Sequence, residues 1–326
     1  MRAAAMVTLL VLGAFAQDPP EQAAALADET SGELVIDRGD DQLALQIRAA
    51  EELVYVVEVD LGPFKGISVG DARFITKVED LEGVLVGSIE GTFKASHLGY
   101  KLDQRLLSRH VTGEQLALES SDTQRGSESR RRELRVGPRD GEWVSEYRFD
   151  GHCSGCKDKA HFVHPLLPWD KPAHCKKCKR GKHRVWRDMR SRAVPAHTLD
   201  FLSVIYLLRS LIESGEKQLQ TPLIEKDRLW NLGMEVGEGK HVEVPFGVFN
   251  CVRVLLQAAK PELEPEGGEF SGLFGMQGSL HLWVHEETGV LVQIDGELPL
   301  GPMDLGVKIR LKEAKNLMAE FAPAGG

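Results

Sequence analysis

Along most of this 326-residue chain, apolar and polar residues alternate with a period of two, and one segment breaks that rhythm. Leu53, Tyr55, Val57, Val59 and Leu61 alternate with residues such as Glu58 and Asp60. Val307, Ile309 and Leu311 alternate with Lys308, Arg310 and Lys312, and Leu85, Ile89 and Phe93 fall on one side of their run. A strand with one buried and one wet face requires this spacing. Gly-bearing breaks ("DLGPFKG", "VEDLEG", "GPRDGE", "HEETG") separate the runs as antiparallel connections do. The exception is "TLDFLSVIYLLRSLIESGEK", where apolar residues from Leu199 to Ile212 cover nearly the whole circumference of a helix. A helix apolar all round is buried. Thr198 or Asp200 can cap its start and Gly215 its end. The fold class expected is mainly β (α+β), a curved antiparallel sheet or half-barrel around one buried helix.

Hydrophobic residues make up 42% and charged residues 27% of the chain, the balance of a globular protein. Residues 1–16 carry Arg2, an apolar run and Ala14-Phe15-Ala16, the layout of a signal peptide cleaved near Ala16. The apolar run is too short, at about 14 residues, to span a bilayer, and no later segment is apolar enough. The mature protein is therefore expected in the periplasm or outside the cell, with no transmembrane span. No Cys stands at the cleavage point, which argues against a lipoprotein anchor. Residues 17–32 read as a flexible lead-in, 33–150 and 193–317 as the β-rich body, and 318–326 as a frayed, disordered tail. Between them lies an inserted module, 151–192. The net charge of −9 hides its character: residues 151–190 hold eleven Lys and Arg against three Asp, and five of the eleven His.

That module contains four of the five cysteines as C-x2-C-x18-C-x2-C: Cys153, Cys156, Cys175 and Cys178. Two C-x-x-C turns can supply four thiolates to one tetrahedral Zn²⁺, as in zinc ribbons. Lys176, Lys177, Lys179, Arg180 and Lys182 form a basic surface that offsets the charge of such a site. So small a block has little core of its own, and a metal would supply its folding free energy. Zinc in a closed, structural shell is the favoured reading. Export makes disulfides the main alternative, and iron or redox roles remain open. Cys251, in an apolar strand, reads as a buried, unpaired thiol.

The helix carries a further signal. "DFLSVIYLLR" (Asp200, Leu202, Ser203, Tyr206, Arg209) resembles the D-x-L-S-x-x-Y-x-x-R signature of an exported bacterial family, domain of unknown function 3108. Glu52, Leu53, Tyr55, Gly70 and Ala72 are similar to its opening strand pair, Gly247, Phe249 and Cys251 to its G-x-F strand, and the residues around Trp283 to its closing strands. The resemblance runs collinearly from about residue 50 to 312. It departs after Trp283, where the usual Asp and Pro are missing, and at the Cys-rich block, which the family pattern does not include. It implies an envelope-located β protein without established enzyme activity, and a curved sheet around a helix as in lipoprotein carriers.

No G-x-S-x-G, H-E-x-x-H or phosphate loop occurs, and no enzyme is expected. Ser203, Tyr206 and Arg209 line the helix's only polar stripe and suggest an internal hydrogen-bond network. His281 and His285 flank Trp283 on what reads as an exposed strand face, and "RRRELR" (130–135) as a solvated one. Two binding functions follow. One is a lipid or other amphiphile held in an apolar cleft of the sheet. The other is scaffolding, with the basic module docked on an anionic envelope polymer, a glycolipid or an acidic protein. A nucleic-acid partner is not expected of an exported chain.

Overall fold

The computed structural model describes residues 25–28, 33–36, 43–61, 64–97, 100–111, 117–126, 129–152, 184–260, 270, 272, 276–300, 303–317, 321 and 323. Its alternating runs are strands. Three short ones, β1 (Ala25–Asp28), β2 (Glu33–Ile36) and β3 (Leu45–Arg48), make a small antiparallel sheet. A second sheet of 15 strands holds the rest. Its first meander is β4 (Glu52–Leu61), β5 (Phe64–Leu81), β6 (Val84–His97), β7 (Tyr100–Val111), β8 (Ala117–Gly126), β9 (Arg130–Arg139) and β10 (Glu142–His152). The short strands β11 (Arg184–Trp186) and β12 (Arg190–Ala193) lie on the free side of β10. A second meander follows: β13 (Gln218–Glu225), β14 (Arg228–Val244), β15 (Gly247–Ala259), β16 (Gln277–His285), β17 (Leu291–Leu300) and β18 (Met303–Lys315).

The two meanders join where β4 pairs with β18, Tyr55 opposite Leu311 and Val57 opposite Ile309. The junction lies mid-sheet, so the edges come from the middle of the chain: β11 and β12 on one side, β13 on the other. The long, curved antiparallel sheet is not closed by hydrogen bonds between them. The segment after β12 bridges the gap instead. Val194 N–H donates to Trp143 O at 2.9 Å, and Leu199 pairs with β13 through Pro222 O (3.0 Å) and the N–H of Ile224 (2.8 Å). Arg190 and Arg192 also reach Asp227, at the turn between β13 and β14.

The one helix among the described residues, α1 (Phe201–Ser214), lies inside this curve. Its start is settled by Asp200, whose Oδ1 accepts the Ser203 N–H at 2.9 Å, and its end by Gly215 in the left-handed region (φ 72°). Val204, Leu207, Leu208 and Leu211 are fully buried. They pack among Tyr55, Phe74, Phe249 and Leu282 of the large sheet and Leu45 and Ile47 of β3, which covers the helix from its other side. No helix among the described residues is long and apolar enough to cross a membrane.

Several expected boundaries shift. Ala25–Asp28, within the expected lead-in, pairs with β2. The body's sheet includes Gly151 and His152 and resumes at Arg184, so residues 184–192 belong to it rather than to the inserted module. Phe321, placed in the frayed tail, is only 8% exposed. It stacks on Phe249 at 4.9 Å, because the aromatic ring has an apolar groove to fill. The expected signal peptide (residues 1–16) lies outside the described residues.

Candidate ligand cleft

Beyond the helix the inner face of the sheet changes character. Its apolar lining gives way on β7, β8 and β9 to polar and charged residues, aligned by register. Gln104 lies opposite Gln124, Leu106 opposite Asp122 and Ser108 opposite Ser120. On the next strand Asp122 faces Arg132 and Gln124 faces Arg130. The N-terminal end of α1 and Ile224 of β13 stand across from this face. The space between is a cleft of about 280 Å³. Leu102, Leu106, Leu134, Phe201, Leu202 and Ile224 make its apolar walls, while Asp122, Arg130, Arg132, Gln104, Gln124 and Tyr147 make a polar ridge.

Asp122 organises the ridge. Its Oδ1 accepts from Gln104 Nε2 at 2.8 Å, and its Oδ2 accepts from Arg130 Nε at 3.1 Å and Arg132 Nη1 at 3.3 Å. One carboxylate thus holds two guanidinium groups. Burial strips water from Arg132 and lowers its pKa, the positive charge of Arg130 lowers it further, and Asp122 opposes both. Burial also raises the pKa of Tyr147. The run "RRRELR" is therefore not a solvated face throughout. Arg130, Arg132 and Leu134 point into the cleft, while Arg131, Glu133 and Arg135 alternate to the outer face.

Behind the cleft the helix stripe forms the expected buried network. Ser203 Oγ donates to Asp200 Oδ1 at 2.6 Å and lies 2.8 Å from His110 Nε2 and 3.1 Å from Ser108 Oγ. With the Ser203 proton on Asp200, His110 donates from Nε2. The serine stands between acid and imidazole and is fully buried, the reverse of a nucleophile's arrangement. One turn on, Arg209 Nη2 donates to Glu51 Oε1 at 2.6 Å, and its guanidinium lies 4.8 Å from the centre of the Tyr206 ring. Tyr55 Oη, nearby in the same core, donates to Leu291 O at 2.8 Å. Tyr55, Asp200, Ser203, Tyr206 and Arg209, the residues quoted for the family resemblance, all lie in the buried interior. Trp283 stands apart, on the other side of the sheet, with Nε1 donating to Asp295 at 2.9 Å and Lys240 Nζ 3.8 Å from its ring centre.

His285 does not share an exposed face with Trp283. It is 5% exposed, 3.0 Å from Thr288 Oγ1, and packed on Phe249 and Phe321. Burial lowers its pKa. Cys251 is a free, fully buried thiol whose pKa burial pushes up to about 12. The expected zinc ligands Cys153, Cys156, Cys175 and Cys178, and the basic residues Lys176, Lys177, Lys179, Arg180 and Lys182, lie outside the described residues. In the described sheet, the guanidiniums of Arg131 and Arg148 each lie 4.7 Å from the centre of the Trp186 ring.

No family model matches the chain, and no curated protein does. The resemblance to domain of unknown function 3108 therefore rests on the residues quoted for it. Among solved structures, a beta-barrel-like protein of domain of unknown function DUF1849 from Brucella abortus aligns at 9% identity and a TM-score of 0.45, over 82% of this chain and 98% of that one. A candidate exported protein with a YmcC-like fold from Bacteroides fragilis aligns at 9% identity and 0.31, over 82% and 97%. A candidate lipoprotein from Parabacteroides distasonis aligns at 10% identity and 0.29, over 82% and 95%.

Proposed function

We propose that this chain is an exported, non-catalytic binding protein that holds a small amphiphile in the cleft beside the N-terminal end of α1. The observation that carries this reading is the mixed lining: six apolar side chains and one charged ridge border a space of about 280 Å³. Concave sites that take small molecules combine apolar walls with a few fixed polar groups, at volumes of roughly 300–1,000 Å³ and up. The polar groups nearest a nucleophile's arrangement, Ser203 and His110, are buried behind the wall and serve the helix instead. Export is supported by the pattern of residues 1–16, and kinship with domain of unknown function 3108 by the helix signature.

The test is native mass spectrometry and solvent extraction of protein recovered from its exported compartment without detergent. A small amphiphile at one per chain, lost in Ile224→Trp, supports the reading. An empty protein that takes up no alkyl probe would sink it.

Zinc at Cys153, Cys156, Cys175 and Cys178 is proposed as a structural group for the inserted block, on spacing alone. One zinc per chain, with these thiols labelled only after chelation, is the expected result. No metal and a single free thiol would mean two disulfides. The stack of Arg131, Trp186 and Arg148 at the base of the block favours a second reading, in which this end docks on an anionic envelope polymer. Salt-sensitive retention on such a polymer, lost when residues 153–183 are removed, is its expected signature.

A further inference from the structure

We infer that the ligand of the cleft carries an anionic head, a carboxylate or phosphate monoester, seated on Arg130 and Arg132, and a short apolar tail against Leu134, Leu202 and Ile224. This rests on the binding reading above and names its ligand class.

The charge census of the lining carries the argument. Four acids, Asp122, Glu133, Asp200 and Glu225, and three bases, Arg130, Arg132 and Lys226, border the space. Glu133 accepts from Arg148 on the outer side of the sheet. Glu225 pairs with Lys226 at 2.6 Å. Asp200 caps α1, accepts the backbone N–H and the hydroxyl of Ser203, and faces the positive end of the helix dipole. Glu133 and Glu225 thus have basic partners of their own, and Asp200 stays charged across the space, its Oδ2 without a hydrogen-bond partner. Asp122 is the acid hydrogen-bonded to Arg130 and Arg132, Glu225 adds a longer-range attraction to Arg132, and Gln104 occupies the other Asp122 oxygen. The ridge of Arg130, Arg132 and Asp122 keeps one positive charge in excess, with the two arginine side chains 31% and 27% exposed.

Two guanidiniums side by side offer several N–H groups, and the planar fork suits carboxylate and phosphate oxygens. An anion there would also offset the burial, and after it the repulsion from Arg130, that lower the pKa of Arg132. Phe201, Leu202 and Ile224 sit across from the ridge, while Leu102, Leu106 and Leu134 flank it on its own face, so an apolar tail lies beside and opposite the head. A volume of about 280 Å³ suits a short single chain rather than a two-chain lipid.

Calorimetric titration of the full chain with octyl phosphate, octanoate, octyl glucoside and inorganic phosphate tests this. The two octyl anions should bind at least about tenfold more tightly than either octyl glucoside or inorganic phosphate, and lose affinity as salt rises. Arg132→Gln should remove the preference for the octyl anions over octyl glucoside. If that variant fails to fold, Arg130→Gln makes the same test. Equal affinity for octyl glucoside and octyl phosphate would overturn the anionic head and leave the binding reading intact. Inorganic phosphate binding as tightly as octyl phosphate would overturn the tail. No binding of any octyl compound would overturn both readings.

Discussion

Arg209 reaches Glu51 from inside the helix, with the two side chains 4% and 0% exposed. An ion pair so far from water is expensive to break, because either partner left alone is a buried, uncompensated charge. Glu51→Ala is expected to lower stability by about 3–5 kcal/mol, and Glu51→Leu with Arg209→Met to recover most of it, as read by urea unfolding. Cys251 makes a prediction of another kind. Its folded pKa is raised from 9.0 to about 12, so the unfolded state loses the proton first. Stability should therefore fall as pH rises above about 9, with Tyr55 and Tyr206, whose pKa values burial also raises, adding to the fall above 10. At pH 8 the Cys251 peptide should stay unalkylated in native protein and react fully in urea, as mass spectrometry would record. Ser203, Tyr206 and Arg209 were legible in the sequence because helix periodicity puts them on one stripe, and Asp200 because its side chain suits a helix cap. Glu51 was not, since 158 residues separate it from Arg209. Arg130 and Arg132 were hidden differently: both faces of their strand are charged, so alternation gave no contrast.

The elements were more legible than their partners. Period-two alternation located the strands because most have one face in the core, and the all-round apolar run located α1 because sheet covers it on both sides. The cap was left between Thr198 and Asp200, and hydrogen bonding chose Asp200, since Thr198 Oγ1 turns back to Pro195 O. One close approach could not be read from the sequence. The turn between β16 and β17 presses on the helix, and a Cβ on Gly289 would lie 2.5 Å from Arg209 Cα. Gly289 also has φ +64°. Gly289→Ala is therefore expected to cost about 3 kcal/mol in thermal or urea unfolding, well beyond an exposed turn glycine. By the same logic Gly83, with φ +87° but nothing near its missing Cβ, should cost only its backbone strain when changed to Ala.

For the molecule as a whole, the basic Cys-rich block leaves the sheet from a paired position. His152 lies opposite Arg184, so the two ends of residues 153–183 are ladder neighbours. Replacing that span by a short hairpin turn should leave the body folded, with far-ultraviolet circular dichroism unchanged and amphiphile binding in the cleft retained. Loss of the β signal would show that the block supports the sheet. Composition disclosed the block, because its charge and cysteines contrast with an acidic body, but its true edges depended on strand pairing far outside any motif. The order of the strands has a kinetic consequence. Within the large sheet, β4 through β10 and β13 through β18 pair with their immediate successors, and among the described residues β4 with β18 makes the ladder between residues farthest apart in sequence. Each meander can zip through short loop closures, so the entropic cost of closing a long loop concentrates in that seam. Until β18 arrives, the flank of β4 is an open edge beside an unfinished core, and that interval is when the nascent chain is most exposed to pairing with a neighbour.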